Sequence, residues 1–92
     1  MYSNFLLGNL RITEGAKMRL KRVPYDLIAR HAVNDHGVLT QKESEANRKA
    51  MKSIGTIMSR YRVDPTDKHS ECVLVVTHES WDETLVKLES ET

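Results

Sequence analysis

The stretch LIARHAVNDHGVLTQKESEANRKA, Leu27 to Ala50, is where this chain is densest in groups that can do chemistry: His31, Asn34, Asp35, His36, Glu43, Glu45 and Asn47. Two imidazoles beside a carboxylate can ligate a metal or move a proton. On a helix, ligands must recur at i,i+3 or i,i+4 to share a face. His31 and Asp35 do so, but His36 falls about 100° further round. A structural zinc site takes four ligands, usually with thiolates, and Cys72 is the only cysteine. His69 and His78 are distant and unpatterned. No metal is therefore expected, nor any other cofactor. His31, on an apolar arc, reads as a core histidine with one hydrogen bond satisfied.

Catalysis has as little support. Cys72 with His69 or His78 would need an exposed thiol of lowered pKa, whereas its neighbours Val73, Leu74 and Val75 predict a small buried hydrophobe. No phosphate-cradling glycine loop, nucleophile elbow or paired-carboxylate motif occurs. No catalytic residue is assigned, and no small-molecule substrate is implied. The stretch reads instead as two helices meeting at a corner. Asn47, a carboxamide on an apolar helix face, must find backbone partners, and the NDHG turn is the expected source.

The elements that position these residues follow from local pattern. Thr13 is a helix N-cap with Glu14 in the first turn, and Ala16, Leu20 and Val23 share one side. Pro24 suits the first turn of a second helix. That helix carries Leu27, Ile28, Ala29, His31 and Ala32 inward, an Asp26–Arg30 ion pair outward, and stops near Asn34 with Gly37 in the turn. Thr40-Gln-Lys-Glu43 is a capping box. It opens a helix running to about Ile54, closed by Gly55, with Ala46, Asn47, Ala50, Met51 and Ile54 inward. After Gly55 the period changes to two: Ile57, Ser59, Tyr61 and Val63 face one way, Met58, Arg60 and Arg62 the other. ECVLVVTH, apolar on both faces, reads as the central strand, and TLVKLES as the last. The expected fold is α+β: N-terminal helices packed on one face of a three-stranded antiparallel meander, with FLLGNLRI as an additional N-terminal strand interrupted by Gly8.

The 92 residues, 39% hydrophobic and 29% charged, fit one compact domain over 1–92. No run of about eighteen apolar residues marks a membrane span. MYSNFLLGNLRI has no basic leader followed by a long apolar stretch, so no secretory signal is expected. A lone cysteine fits a reducing cytoplasm. The net charge of +1 conceals a split: residues 1–62 carry twelve Lys/Arg against five Asp/Glu, residues 63–92 two against eight. Such a division points to an anionic partner for the first half, or to mutual neutralisation of the two halves.

Phe5, Leu7-Gly8, Thr13, Gly15-Ala16, Leu27-Ile28-Ala29-Arg30-His31, Asp35-His36-Gly37, Leu39, Asn47, Ala50, Gly55, Ser59, Tyr61, Val75-Val76-Thr77, Glu79 and Thr84-Leu85-Val86 resemble a family of small bacterial proteins. Its pattern is F-x-L-G…T-x-G-A…R-H-x-x-G-D-W-G…S-x-Y…I-T-E-A-D-R-S, and its members are borne on plasmids and other mobile elements. This chain departs at Asn34 and His36, where the family has Gly and Trp. It departs again across Thr77-His78-Glu79-Ser80-Trp81-Asp82, where the family has T-E-A-D-R-S. The resemblance implies a mobile-element setting in a bacterial host and no particular activity.

Small size, absence of a cofactor motif and that setting point to a non-catalytic inhibitor of host defence. Its most concrete form is an anti-CRISPR protein from a phage or plasmid. It would bind a host protein or ribonucleoprotein, a type I CRISPR effector complex, and meet guide-RNA phosphates with basic side chains. The residues expected to carry this are Lys17, Arg19, Lys21, Arg22, Arg48, Lys49, Lys52, Arg60 and Arg62. Arg60 and Arg62 either face a partner or pair with Glu83 and Glu89. If they face a partner, changing both to Glu abolishes binding and leaves thermal stability nearly intact. The alternative is a small nucleic-acid-binding regulator of a plasmid or phage. Its few aromatic residues do not alternate with the basic ones, which weakens that reading.

Overall fold

The computed structural model describes residues 5–91. Strand β1 (Asn9–Ile12) leads into helices α1 (Glu14–Leu20), α2 (Tyr25–Ala32) and α3 (Gln41–Ser53). Strands β2 (Ile57–Arg62), β3 (Cys72–Thr77) and β4 (Glu83–Leu88) follow, with a final 3-10 turn at Glu89–Glu91. The class is α+β, as the sequence indicates. β2, β3 and β4 form the antiparallel meander. The sheet, however, has four strands in the order β1-β4-β3-β2. β1 joins beside β4, and it does so in parallel.

Gly8 makes that addition feasible. Its φ of +66° is left-handed, and a Cβ there would stand 2.1 Å from the Asp82 carbonyl carbon. A bare α-carbon lets the chain pass against the turn before β4, and the Asn9 N–H then donates to the Asp82 C=O at 2.9 Å. Four residues on, the Thr13 N–H donates to the Val86 C=O, and the Thr13 hydroxyl caps α1 by accepting from the Ala16 N–H. Strand end and helix start are thus fixed by one residue.

The period-two reading of β2 holds. Ile57, Ser59 and Tyr61 are buried and face the helices, in register with Thr77, Val75 and Val73 of β3. Ala16, Leu27, Ile28, Tyr61, Val73, Val75 and Val86 make the main core, and Phe5, Ala50 and Ile57 a second cluster. On the opposite sheet face Leu74 is also buried. Its register neighbours are Arg60 and Lys87, whose aliphatic stems can shield it.

Several local expectations shift. Val23, Ala46 and Ile54 are exposed. The apolar side of α1 ends at Leu20, and Ile54 becomes the left-handed C-cap of α3, its φ of 55° filling the role expected of Gly55. α2 stops at Ala32, and Asn34 and Gly37 turn the chain with φ of 65° and 72°. Asp26 pairs with Arg22, leaving Arg30 to Asp35. Cys72 is half-buried, not enclosed, and burial raises its thiol pKa. No described helix is long and apolar enough to cross a membrane.

Candidate cationic docking surface

The corner between α2 and α3 is tied to β2 by four contacts. Arg30 grips the Asp35 carboxylate with Nε at 2.7 Å and Nη2 at 3.2 Å, and its guanidinium lies 4.7 Å over the Tyr61 ring. The Tyr61 hydroxyl donates to the Asp35 C=O at 2.6 Å. The Arg60 N–H donates to the His36 C=O, and the Val38 N–H to the Arg60 C=O. Gly37 lies between them with φ +72°, where a Cβ would meet the Arg60 carbonyl oxygen at 2.1 Å.

Inside this corner runs a chain of hydrogen bonds whose direction can be deduced. The Thr84 hydroxyl donates to the Leu7 C=O at 2.6 Å, since a carbonyl only accepts. Thr84 Oγ1 therefore accepts from Thr77 Oγ1 at 2.7 Å, and Thr77 in turn accepts from His31 Nε2 at 2.9 Å. Burial pushes the His31 pKa down to about 3, so the ring is neutral and its Nδ1 is an acceptor. Ser59 Oγ donates to that Nδ1 at 2.6 Å and accepts from His36 Nδ1 at 2.7 Å. Each hydroxyl gives one proton and takes one.

A serine between two imidazoles resembles an activated nucleophile. Here both Ser59 and His31 are 0% exposed, so no substrate atom can approach the hydroxyl. The array acts as a polar spine linking α2, β2, β3 and β4. Sequence reasoning gave His31 one partner and overlooked the second, together with Ser59, Thr77 and Thr84. The available signal was hydroxyl residues on otherwise apolar inward faces. Among the described residues, no group of three or more His, Cys, Asp or Glu is arranged to hold a metal.

The nine basic residues separate into two populations. Lys17 pairs with Glu14, Arg19 with Glu71 and Arg22 with Asp26. Arg60 is the most constrained. Its Nη1 and Nη2 bind the two Glu43 oxygens at 2.6 and 2.8 Å, and its Nε binds Glu89 at 2.8 Å. Of the acids expected for it, Glu89 is a partner, whereas Glu83 pairs with Arg11. Arg60 is thus an internal tie and no longer a candidate for facing a partner. The Glu43 carboxylate also accepts from the Thr40 N–H at 2.9 Å, and chiefly the Arg60 contact lowers its pKa to about 2.

Lys21, Arg48, Lys49, Lys52 and Arg62 make no ion pair among the described residues. Three of them share α3, where Arg48, Lys49 and Lys52 are exposed. Lys42, outside the expected set, extends the same face two turns back, giving a basic stripe about 15 Å long that the exposed Glu45 interrupts. The opposite face of α3 is anchored at Asn47, which brackets one residue of β2. Its Nδ2 donates to the Met58 C=O at 2.7 Å, and its Oδ1 accepts from the Met58 N–H at 3.0 Å. The partner is thus strand β2, not the NDHG turn. α1 packs on β4 and α3 on β2, so the basic residues of the two helices lie on different parts of the sheet and form no single patch. Comparison with protein-family models, with curated proteins and with solved structures finds no match.

Proposed function

We propose that this protein is a non-catalytic inhibitor of host defence encoded by a phage or other mobile element, acting in the bacterial cytoplasm. In its most concrete form it is an anti-CRISPR protein that docks on a type I effector complex and blocks target DNA recognition. The observation that supports this best is the exposed face of α3. Arg48, Lys49 and Lys52 make no ion pair among the described residues and outnumber Glu45, the acid on the same face, on a helix held from behind by Asn47 and by the Glu43–Arg60 tie. Fixed, unpaired cations at helical spacing suit a row of phosphates, whose contacts release counterions. Guide RNA in a ribonucleoprotein offers such a row.

The buried Ser59–His31 pair and the half-buried, pKa-raised Cys72 favour occupation of a site over turnover. The test is affinity capture of a purified type I effector complex by the wild-type protein and by the triple variant Arg48→Glu/Lys49→Glu/Lys52→Glu. The wild type should retain the complex and the variant should lose it while still unfolding cooperatively as a folded protein. Equal retention by both rules out the α3 face. Tight binding of bare DNA without the complex favours a nucleic-acid-binding regulator instead.

A further inference from the structure

β2 is an edge strand, and every second residue turns its peptide N–H and C=O away from β3. On this edge those residues are Met58, Arg60 and Arg62. The groups of Met58 are taken by the Asn47 carboxamide, and those of Arg60 by His36 and Val38. Past Val38 the covering segment leaves the strand to begin α3. No described residue pairs with the outward N–H and C=O of Arg62.

A cavity of about 280 Å³ opens at that point, between the start of α2, the Gly37–Val38 segment and the end of β2. Leu27, Val63 and Pro65 give it apolar walls. Three arginines line it, Arg22, Arg30 and Arg62, against one acid, Asp26. The Arg22–Asp26 and Arg30–Asp35 pairs are about half exposed. Such pairs are weak and can share their guanidinium donors with an incoming anion.

We infer that this corner is a docking site for an extended, acidic peptide segment of a partner protein. One residue of the segment pairs its N–H and C=O with Arg62 and lengthens the edge. The residues on either side of it fall level with Tyr61 and Val63, whose side chains point to the helix side of the sheet. A carboxylate at either of those positions enters the cavity beside Arg22 and Arg30. A phosphate or a nucleotide satisfies the charge but supplies no matched N–H and C=O for the strand edge, so a peptide fits both features at once. This site is independent of the α3 stripe.

The probe is an acetylated, amidated pentapeptide, Thr-Val-Glu-Val-Thr, titrated into the ¹⁵N-labelled full chain and followed by amide shifts. Saturable shifts centred on Arg62, Val63 and Gly37 are expected. Replacing the peptide Glu by Gln, or Arg22→Gln in the protein, should weaken binding at least fivefold. N-methylation of both peptide valines should abolish it. Arg62→Pro removes only an outward N–H and spares the ladder to β3, so it should lose binding that Arg62→Ala retains in part. If Arg62→Pro fails to fold, the N-methylated peptide tests the same bond from the other side. Absence of saturable shifts, equal binding of the Gln peptide, or displacement of the peptide from these residues by adenosine monophosphate would overturn the inference.

Discussion

Keeping His31 neutral becomes a cost of folding as soon as the unfolded chain begins to protonate it. The unfolded imidazole titrates near 6.5, whereas the folded one is held down to about 3 by burial. The unfolded state therefore binds more protons across that interval. Stability is unaffected above the upper value and falls as the pH drops below it, by up to about 1.4 kcal/mol per unit for one group. His36, half-buried and also lowered, adds to the slope. Urea unfolding at pH 7.5 and 5.0 should reveal this loss, and His31→Gln should flatten the dependence while lowering stability at pH 7.5. A wild type equally stable at both values would contradict the directed hydrogen-bond chain. The apolar arc of α2 made His31 legible as a core residue, because i,i+4 spacing is local. Its partners lie 28 and 46 residues away, and only the strand register brings them to the ring.

At the scale of elements, α3 is positioned by its first turn and by one asparagine. Asn47→Ala leaves the Met58 N–H and C=O without partners at a part-buried strand edge, so a loss of about 2–4 kcal/mol is expected on denaturant unfolding. Gly37→Ala places a side chain against the Arg60 carbonyl in a left-handed conformation, with a loss of at least about 2 kcal/mol expected by the same measurement. Arg60 and Arg62 should part company. Arg60→Glu sets a carboxylate against Glu43 and Glu89 and should lower the melting temperature markedly. Arg62→Glu should change stability by no more than about 0.5 kcal/mol. Equal melting of the two variants would show that the Glu43–Arg60–Glu89 tie holds nothing. The capping box at Thr40 and Glu43 was readable because it spans three residues. The parallel seat of β1 was not, since it depends on Gly8 meeting a turn more than seventy residues away.

For the whole molecule, the charge division seen in the sequence is partly consumed within the fold. Glu71, Glu83 and Glu89 from the acidic half engage Arg19, Arg11 and Arg60 from the basic half. Composition left mutual neutralisation and an anionic partner as alternatives, and which arginines are consumed within the fold depends on tertiary contacts. Of the cations without an ion pair among the described residues, Lys42, Arg48, Lys49 and Lys52 share α3, and that face carries the proposed docking. Its most direct test is the salt dependence of binding to a purified type I effector complex, measured for the wild type and for Arg48→Glu/Lys49→Glu/Lys52→Glu. A wild-type affinity that falls steeply with salt, and a variant with weaker binding and a shallower slope, is the predicted result. Wild-type and variant lines that superimpose would contradict it.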